Sequence, residues 1–213
     1  MRQLNGVYPA IVLNNVDPNQ GGRVEIQLLS TGESSAGWAR IATLMAGNER
    51  GTWFIPDIGD EVLVAFEGGD PRVPYVVGAL WNSREQPPEK MDPANDIKTI
   101  RSRKGLKVIL NDREGQESIS IQTPGGQSLE LKDGPGAITI SDSSGNVITL
   151  ETVGIRINAS AKVSINASEI EINAGALTVN AGLSRFSGVV KCDTLIANSV
   201  VGASYTPGAG NLV

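Results

Sequence analysis

Proton transfer, nucleophilic attack and metal binding each need particular side chains, and this chain lacks several of them. Histidine is absent. That removes imidazole acid–base catalysis, Ser–His and Cys–His nucleophile pairs, and imidazole metal ligation. Cys192 is the only cysteine, so there is no disulfide framework and no thiolate cluster. The alternation around Cys192 predicts a packed, inert thiol. Asp57, Asp60 and Glu61 precede an apolar run and Asp70 follows it. Such carboxylates could pair or hold a divalent cation, but no further acid stands at ligand spacing. Turn chemistry on a solvated rim is the expectation. The loop Asp17-Pro18-Asn19-Gln20-Gly21-Gly22 lacks the alternating acids and closing Glu of a calcium loop and reads as a hairpin connection. Glu169 and Glu171 share a strand face and form only a weak acid pair. No catalytic residue, metal ligand or cofactor is assigned.

Binding chemistry is equally sparse. Trp38, Trp53, Phe54 and Trp81 could stack bases, but the first 90 residues carry seven Lys/Arg against eleven Asp/Glu, which opposes a polyanion. Core packing or protein contact is expected of them, with Trp53 and Phe54 the more exposed pair. Arg101, Arg103, Lys104 and Lys107 form the one positive cluster and read as a solvated collar near Asp112 and Glu114. The net charge is −5, without the basic footprint of a nucleic-acid binder. No apolar run approaches the roughly 18 residues of a membrane-spanning helix. The N-terminus has no apolar signal segment, so assembly in a bacterial cytoplasm is expected.

The elements that must position these residues change character along the chain. Seven of the nine aromatics lie within the first 81 residues. There, Tyr8–Val16, Arg23–Leu29, Trp38–Leu44, Glu61–Phe66 and Pro74–Trp81 read as strands separated by turn clusters. About five strands in this length suggest a small closed barrel of the OB type, which leaves no sheet edge open. Residues 83–97 hold three prolines among polar residues and read as a linker.

Beyond the linker the chain repeats. Apolar pairs recur at Ile119/Ile121, Leu129/Leu131, Ile138/Ile140, Ile148/Leu150, Ile155/Ile157, Val163/Ile165, Ile170/Ile172 and Leu177/Val179. Their starts step by 10, 9, 10, 7, 8, 7 and 7 residues. Small corners, Asn158-Ala159-Ser160 and three like it, punctuate the later part. A short fixed period marks a β-solenoid. A single-chain coil needs about 18 to 25 residues per turn to enclose a core. Two apolar side chains per strand cannot enclose anything alone. Three chains can, each forming one wall of a prism with its pairs turned to the axis. The expected axial residues include Ile140, Leu150, Ile157, Ile165, Ile172 and Val179. From Glu151 onward there are only four cations and four anions.

The stretch Pro56-Asp57-Ile58-Gly59-Asp60-Glu61 through Gly78-Ala79-Leu80-Trp81-Asn82, with Gly6–Val12 and Trp38–Ala42, resembles the N-terminal barrel of the phage baseplate assembly protein V family. The segment Ile100–Leu106 and the tail from Lys191 to Asn211 are similar to further parts of that family, whose members resemble the VgrG spikes of type VI secretion. The resemblance implies the central spike of a contractile injection apparatus, on a phage tail baseplate or a related particle. It implies a homotrimer, a baseplate hub protein at the barrel and transient contact with a target membrane. Some members end in a His-x-His iron site. With no histidine that site is excluded, and a small separate tip protein is the expected partner at the C-terminus.

The expected layout is an OB-like barrel over 1–82, the linker over 83–97, a trimeric, intertwined β-helix over 98–190 and a tip platform over 191–213. Trp53 and Phe54 are the expected hub contacts, and Val200, Val201, Tyr205 and Leu212 the expected tip contacts. Two other roles make different demands on the residues. A receptor- or glycan-binding fibre needs exposed aromatics on the needle, where only Phe186 and Tyr205 stand. A depolymerase needs paired carboxylates in a groove.

Overall fold

Alternation such as Val24, Ile26 and Leu28 puts every second side chain on one side of a strand. Strands of this kind can close into a cylinder with those sides inward. The structure, a computed structural model, describes residues 3–30, 37–133 and 137–204. Strands β1 (Val7–Asn14), β2 (Val24–Leu28) and β3 (Gly37–Ile41) are followed by a short ribbon, β4 (Ala46–Gly47) and β5 (Arg50–Gly51). Strands β6 (Glu61–Phe66) and β7 (Pro74–Ala79) complete a closed barrel of order β1-β2-β3-β7-β6. The β3–β7 pair is parallel and the other barrel pairs are antiparallel.

The barrel core is built from small and branched side chains. Ala10, Val12, Val24, Ile26, Leu28, Ala39, Val62, Val64, Phe66 and Val76 are buried. Tyr8 meets Phe66 edge-on with ring centroids 5.8 Å apart. The strand expected over Trp38–Leu44 stops at Ile41, where β3 has paired Arg40 with Tyr75 and Ile41 with Val76. The Ala42 N–H still donates to the Val76 carbonyl at 2.8 Å. The β6–β7 ladder then shifts between Leu63 and Val64, and β7 offers β3 no further register. Residues 42–55 leave the barrel as a loop carrying the β4–β5 ribbon.

Seven strands follow, all antiparallel to their neighbours and in chain order. They are β8 (Ile97–Arg101), β9 (Lys107–Asn111), β10 (Ser118–Gln122), β11 (Ser128–Lys132), β12 (Ala137–Ser141), β13 (Val147–Glu151) and β14 (Gly154–Asn158). Two of them, β8 and β9, precede the first apolar pair of the repeat, Ile119/Ile121. The register aligns the apolar pairs into two columns on one face. Ile100, Val108, Ile121, Leu129, Ile140, Ile148 and Ile157 form one column. Lys98, Leu110, Ile119, Leu131, Ile138, Leu150 and Ile155 form the other. The opposite face is mainly polar, with Thr99, Ile109, Ser120, Glu130, Thr139, Thr149 and Arg156 in its middle column.

One margin of this sheet carries the same turn three times: Ser102–Leu106, Thr123–Gln127 and Asp142–Asn146. In each, the first residue's side-chain oxygen accepts from the backbone N–H of the fifth, at 3.0, 3.2 and 2.9 Å. In each, the fourth residue is glycine in the left-handed region, with φ of 86° at Gly105, 86° at Gly126 and 87° at Gly145. Glycine suits this backbone because it has no Cβ to clash. The turns stack. A Cβ at Gly105 would lie 3.3 Å from Pro124 Cγ, and one at Gly126 only 3.1 Å from Ser143 Cβ, whereas Gly145 faces open space.

The pairing ends at Asn158. The chain divides into two compact units, Met1–Val163 and Ser164–Val213. Among the described residues of the second unit there is no strand, and every residue is exposed. Steps of 9 or 10 residues hold a five-residue strand and a four- or five-residue turn, which lets the chain fold back on itself. The step shortens to 7 from Ile148 to Ile155, which still pairs β13 with β14, and no intrachain ladder continues past β14.

The stacked turns predict a graded response to one substitution. Gly145→Ala meets only the left-handed backbone penalty, about 1–2 kcal/mol. Gly126→Ala adds the clash with Ser143 and costs about 2–4 kcal/mol in all. Urea unfolding of both variants checks this, and equal losses would contradict the stacking.

Candidate functional site

The largest chemical feature of the sheet is its apolar face. Of the expected axial residues, Ile140, Leu150 and Ile157 lie on it, and Ile165, Ile172 and Val179 lie in the second unit, exposed. Among the described residues the face stays largely exposed. Ile148 and Leu150 are 38% exposed, held on both sides by neighbouring rungs, while Ile155 and Ile157 on the last rung reach 71% and 58%. Among the described residues β14 is therefore the open end of both columns. Two columns of Ile, Leu and Val present hydrophobic area with no polar interruption below Lys98. Each such side chain contributes about 1.5–3 kcal/mol when fully buried.

The exit from the sheet is fixed by polar contacts. The Asn146 Nδ2 donates to Asp142 Oδ2 at 2.7 Å. Its Oδ1 accepts from the Ser160 backbone N–H at 2.9 Å and the Ser160 hydroxyl at 3.2 Å. Hydrogen bonds from Asn146 hold the Asp142 carboxyl below its ordinary value.

The barrel offers a second surface. Trp53 and Phe54 are 77% and 71% exposed, and Trp81 is exposed as well, so none of the three is a core residue. The barrel interior is already filled by branched side chains. Trp38 instead packs under Arg23, whose guanidinium carbon lies 5.8 Å from its ring centroid. The Trp53 ring closes on the 17–22 loop, 3.4 Å from where a Gly22 Cβ would stand.

That loop is organised by one carboxylate. Asp17 accepts backbone N–H bonds from Asn19 at 3.0 Å and Gly21 at 2.8 Å, and Arg23 grips it through Nε at 3.0 Å and a terminal nitrogen at 2.7 Å. The side chain of Asp17 is nearly enclosed. Arg23 first, then the backbone donors, hold its carboxyl well below the usual carboxylate range. This is hairpin-loop chemistry, as the sequence suggested. Asp70 behaves likewise: its bidentate pairing with Arg72 brings it down to about 2.

The acids read as turn residues do serve turns. Asp60 Oδ2 accepts from the Asp57 N–H at 2.8 Å, and Glu61 accepts from Asn82 at 2.8 Å. The basic cluster departs from expectation. Arg103 pairs not with Asp112 or Glu114 but with Asp57 of the barrel, at 2.9 Å, joining the first stacked turn to the barrel rim. Asp112 is taken by Lys98 at 3.8 Å. Cys192, expected to be packed, is exposed, because no neighbouring strand lies over it within the chain. Glu171 accepts from Asn173 at 2.9 Å. Val200 and Val201 are exposed, while Tyr205 and Leu212 lie outside the described residues. Among the described residues, no three His, Cys, Asp or Glu side chains converge to hold a metal, and no helix is long and apolar enough to cross a membrane.

Sequence reasoning missed the stacked turns. Their signal was present as Ser, Thr or Asp followed three residues later by Gly, at 102/105, 123/126 and 142/145.

Comparison with known families agrees with this geometry. Residues 8–81 match the type VI secretion system/phage-baseplate injector OB domain. Residues 118–178 match the phage baseplate V C-terminal trimerisation domain. The chain belongs to the phage baseplate V family. This member is similar to the type VI secretion system spike protein VgrG1b of Pseudomonas aeruginosa, 30% identical over 129 residues, covering 54% of the chain and 17% of that protein. VgrG4b of the same species is 36% identical over 112 residues, or 47% of the chain and 14% of that protein. The actin cross-linking toxin VgrG1 of Vibrio cholerae is 32% identical over 114 residues, or 51% of the chain and 10% of the toxin. The chain thus spans less than a fifth of the length of these relatives.

The Asp17 cluster predicts a pH dependence. A folded carboxyl below its ordinary value stabilises the fold fully above about pH 4, and that stabilisation is lost as the pH falls through the folded value. Asp17→Asn should melt below the wild type at pH 7. The gap should narrow as the pH falls below about 3. Thermal melts at both pH values check this, and a gap constant with pH would contradict it.

Proposed function

We propose that this chain is the central spike of a contractile injection apparatus, joining the tube hub to the piercing tip and opening the target envelope mechanically. The observation that carries the reading is the two-column apolar face, largely exposed among the described residues and open-ended at β14. It leads into a segment that carries the same apolar pairs and has no partner of its own. The family's trimerisation domain supports the homotrimer that would cover both.

In this reading three sheets turn their apolar faces to a common axis, with Ile140, Leu150 and Ile157 among the contacts. The segment beyond Asn158 winds with its two copies, placing Ile165, Ile172 and Val179 on the same axis. The resulting β-helix would run over 98–190, below a barrel over 1–82 and a linker over 83–97. Backbone groups paired between chains leave no lateral edge, which suits a body that must pass through lipid without opening. Unwinding three entangled chains is slow, so resistance to load is kinetic. The work is architectural, and no residue carries catalysis.

The barrel's exposed Trp53 and Phe54 supply the hub contact, since exposed aromatics in a cluster are the usual anchors of protein interfaces. The platform over 191–213, with Val200, Val201, Tyr205 and Leu212, receives a small tip protein. The working place is a phage tail baseplate or a related extracellular or cell-associated contractile particle.

Two substitutions separate these parts. Ile165→Asp sets three carboxylates around one axis and should cost several kcal/mol per trimer. Light scattering and thermal melting read this out. A variant that stays trimeric and melts with the wild type would overturn the axial placement. Trp53→Ala with Phe54→Ala should leave the trimer's mass unchanged and abolish its incorporation into particles. Normal incorporation would move the hub contact elsewhere.

A further inference from the structure

The two margins of the seven-stranded sheet carry opposite charge at the same height, next to the barrel. On the stacked-turn margin, Arg101, Arg103, Lys104 and Lys107 flank or occupy the first turn. Arg103 is engaged by Asp57. On the far margin, the segment leading into β8 and the turn between β9 and β10 hold Asp92, Asp96, Asp112, Glu114 and Glu117, with Lys98 and Arg113 beside them. Asp96 and Asp112 are engaged by Arg113 and Lys98 at 3.7 and 3.8 Å. Among the described residues, Arg101, Lys104, Lys107, Glu114 and Glu117 form no ion pair within the chain. Lower turns on the first margin are nearly uncharged: Thr123–Gln127 has no ionisable side chain, and Asp142–Asn146 has one.

Within one chain these margins cannot meet. They stand at opposite ends of five-residue strands, roughly 16 Å apart along the strand. That is about twice the screening length at physiological salt. In a three-fold ring they must meet. A cyclic trimer uses unlike patches, so the first margin of each wall abuts the far margin of the next.

We propose that the Arg101–Lys107 margin of one copy docks on the Asp112–Glu117 margin of the next, forming three identical electrostatic clasps just below the barrels. The inference rests on the trimeric reading above and adds to it which edges join. The clasps disfavour edge-to-edge pairing of like margins, which repel. Their place at the top of the sheet sets the three chains level before the lower rungs close. Exposed pairs of this kind add little equilibrium stability and act mainly on encounter and register.

The test reverses each margin in turn: Lys104→Glu with Lys107→Glu, Glu114→Lys with Glu117→Lys, and all four together in one chain. Arg103 is left alone because it serves Asp57. Trimer formation from denatured chains is followed by light scattering at low salt. Each double variant should assemble at least about tenfold more slowly, and the fourfold variant should return to within about threefold of the wild type. The differences should vanish near 1 M salt. Equal rates for all four proteins, with a trimeric wild type, would overturn the clasp and leave the trimer standing. A monomeric wild type would overturn the trimer itself. Should a double variant fail to fold, zero-length carbodiimide coupling of the unaltered protein decides the matter. Covalent dimers and trimers joined through Lys104 or Lys107 and Glu114 or Glu117 support the clasp, and interchain joints only at other sites contradict it.

Discussion

A β-sheet satisfies its backbone within its own plane but not its faces, and everything below the barrel follows from that. The meander β8–β14 pairs its strands completely and still presents two columns of Ile, Leu and Val to solvent. A face of that kind is stable only against another layer. Among the described residues there is no second layer, and those beyond Asn158 repeat the same pattern without pairing to each other. Copies of the same wall are the simplest cover, and three walls are the fewest that close around an axis. The requirement for partners is thus written into the sheet's geometry rather than into a particular contact residue.

The polar devices have a different task, which is to keep one wall straight and attached. The three stacked turns hold successive hairpins level through a repeated hydroxyl or carboxylate cap and a left-handed glycine. Arg103 ties the first turn to Asp57 of the barrel, and Asn146 ties the last to Ser160 where the chain leaves the sheet. A continuous polar spine therefore runs down one margin, from barrel rim to exit, beside the apolar columns. The barrel itself uses no large aromatic core. Its branched interior leaves Trp53, Phe54 and Trp81 exposed outside the core.

Much of this was legible in the residues. Period-two alternation gave the barrel strands and the inward set of β2, because a half-buried strand must alternate. The apolar pairs gave the face of every strand from β10 to β14. Extrapolating the Trp38 strand to Leu44 failed because strand ends are set by the partner's register, and β7 stops serving β3 at Ile41. The parallel closure of the barrel and the Arg103–Asp57 pair join residues far apart in the chain, and no local pattern encodes such meetings. The packed reading of Cys192 took alternation as burial, but alternation only assigns a face, and the cover must come from elsewhere. The shorter steps start one rung before the ladder ends, since the seven-residue step from Ile148 to Ile155 still pairs β13 with β14, so the spacing does not by itself mark where the chain stops pairing with itself.

Hydrogen exchange of the purified chain tests the dependence on partners most directly. Residues 164–204 have no intrachain ladder to protect their amides. If they are wound with two other chains, those amides should exchange as slowly as the β10–β13 amides at the centre of the sheet. Exchange at the rate of an unstructured peptide, with the sheet still protected, would mean that the segment has no partners, and the wound needle would be wrong.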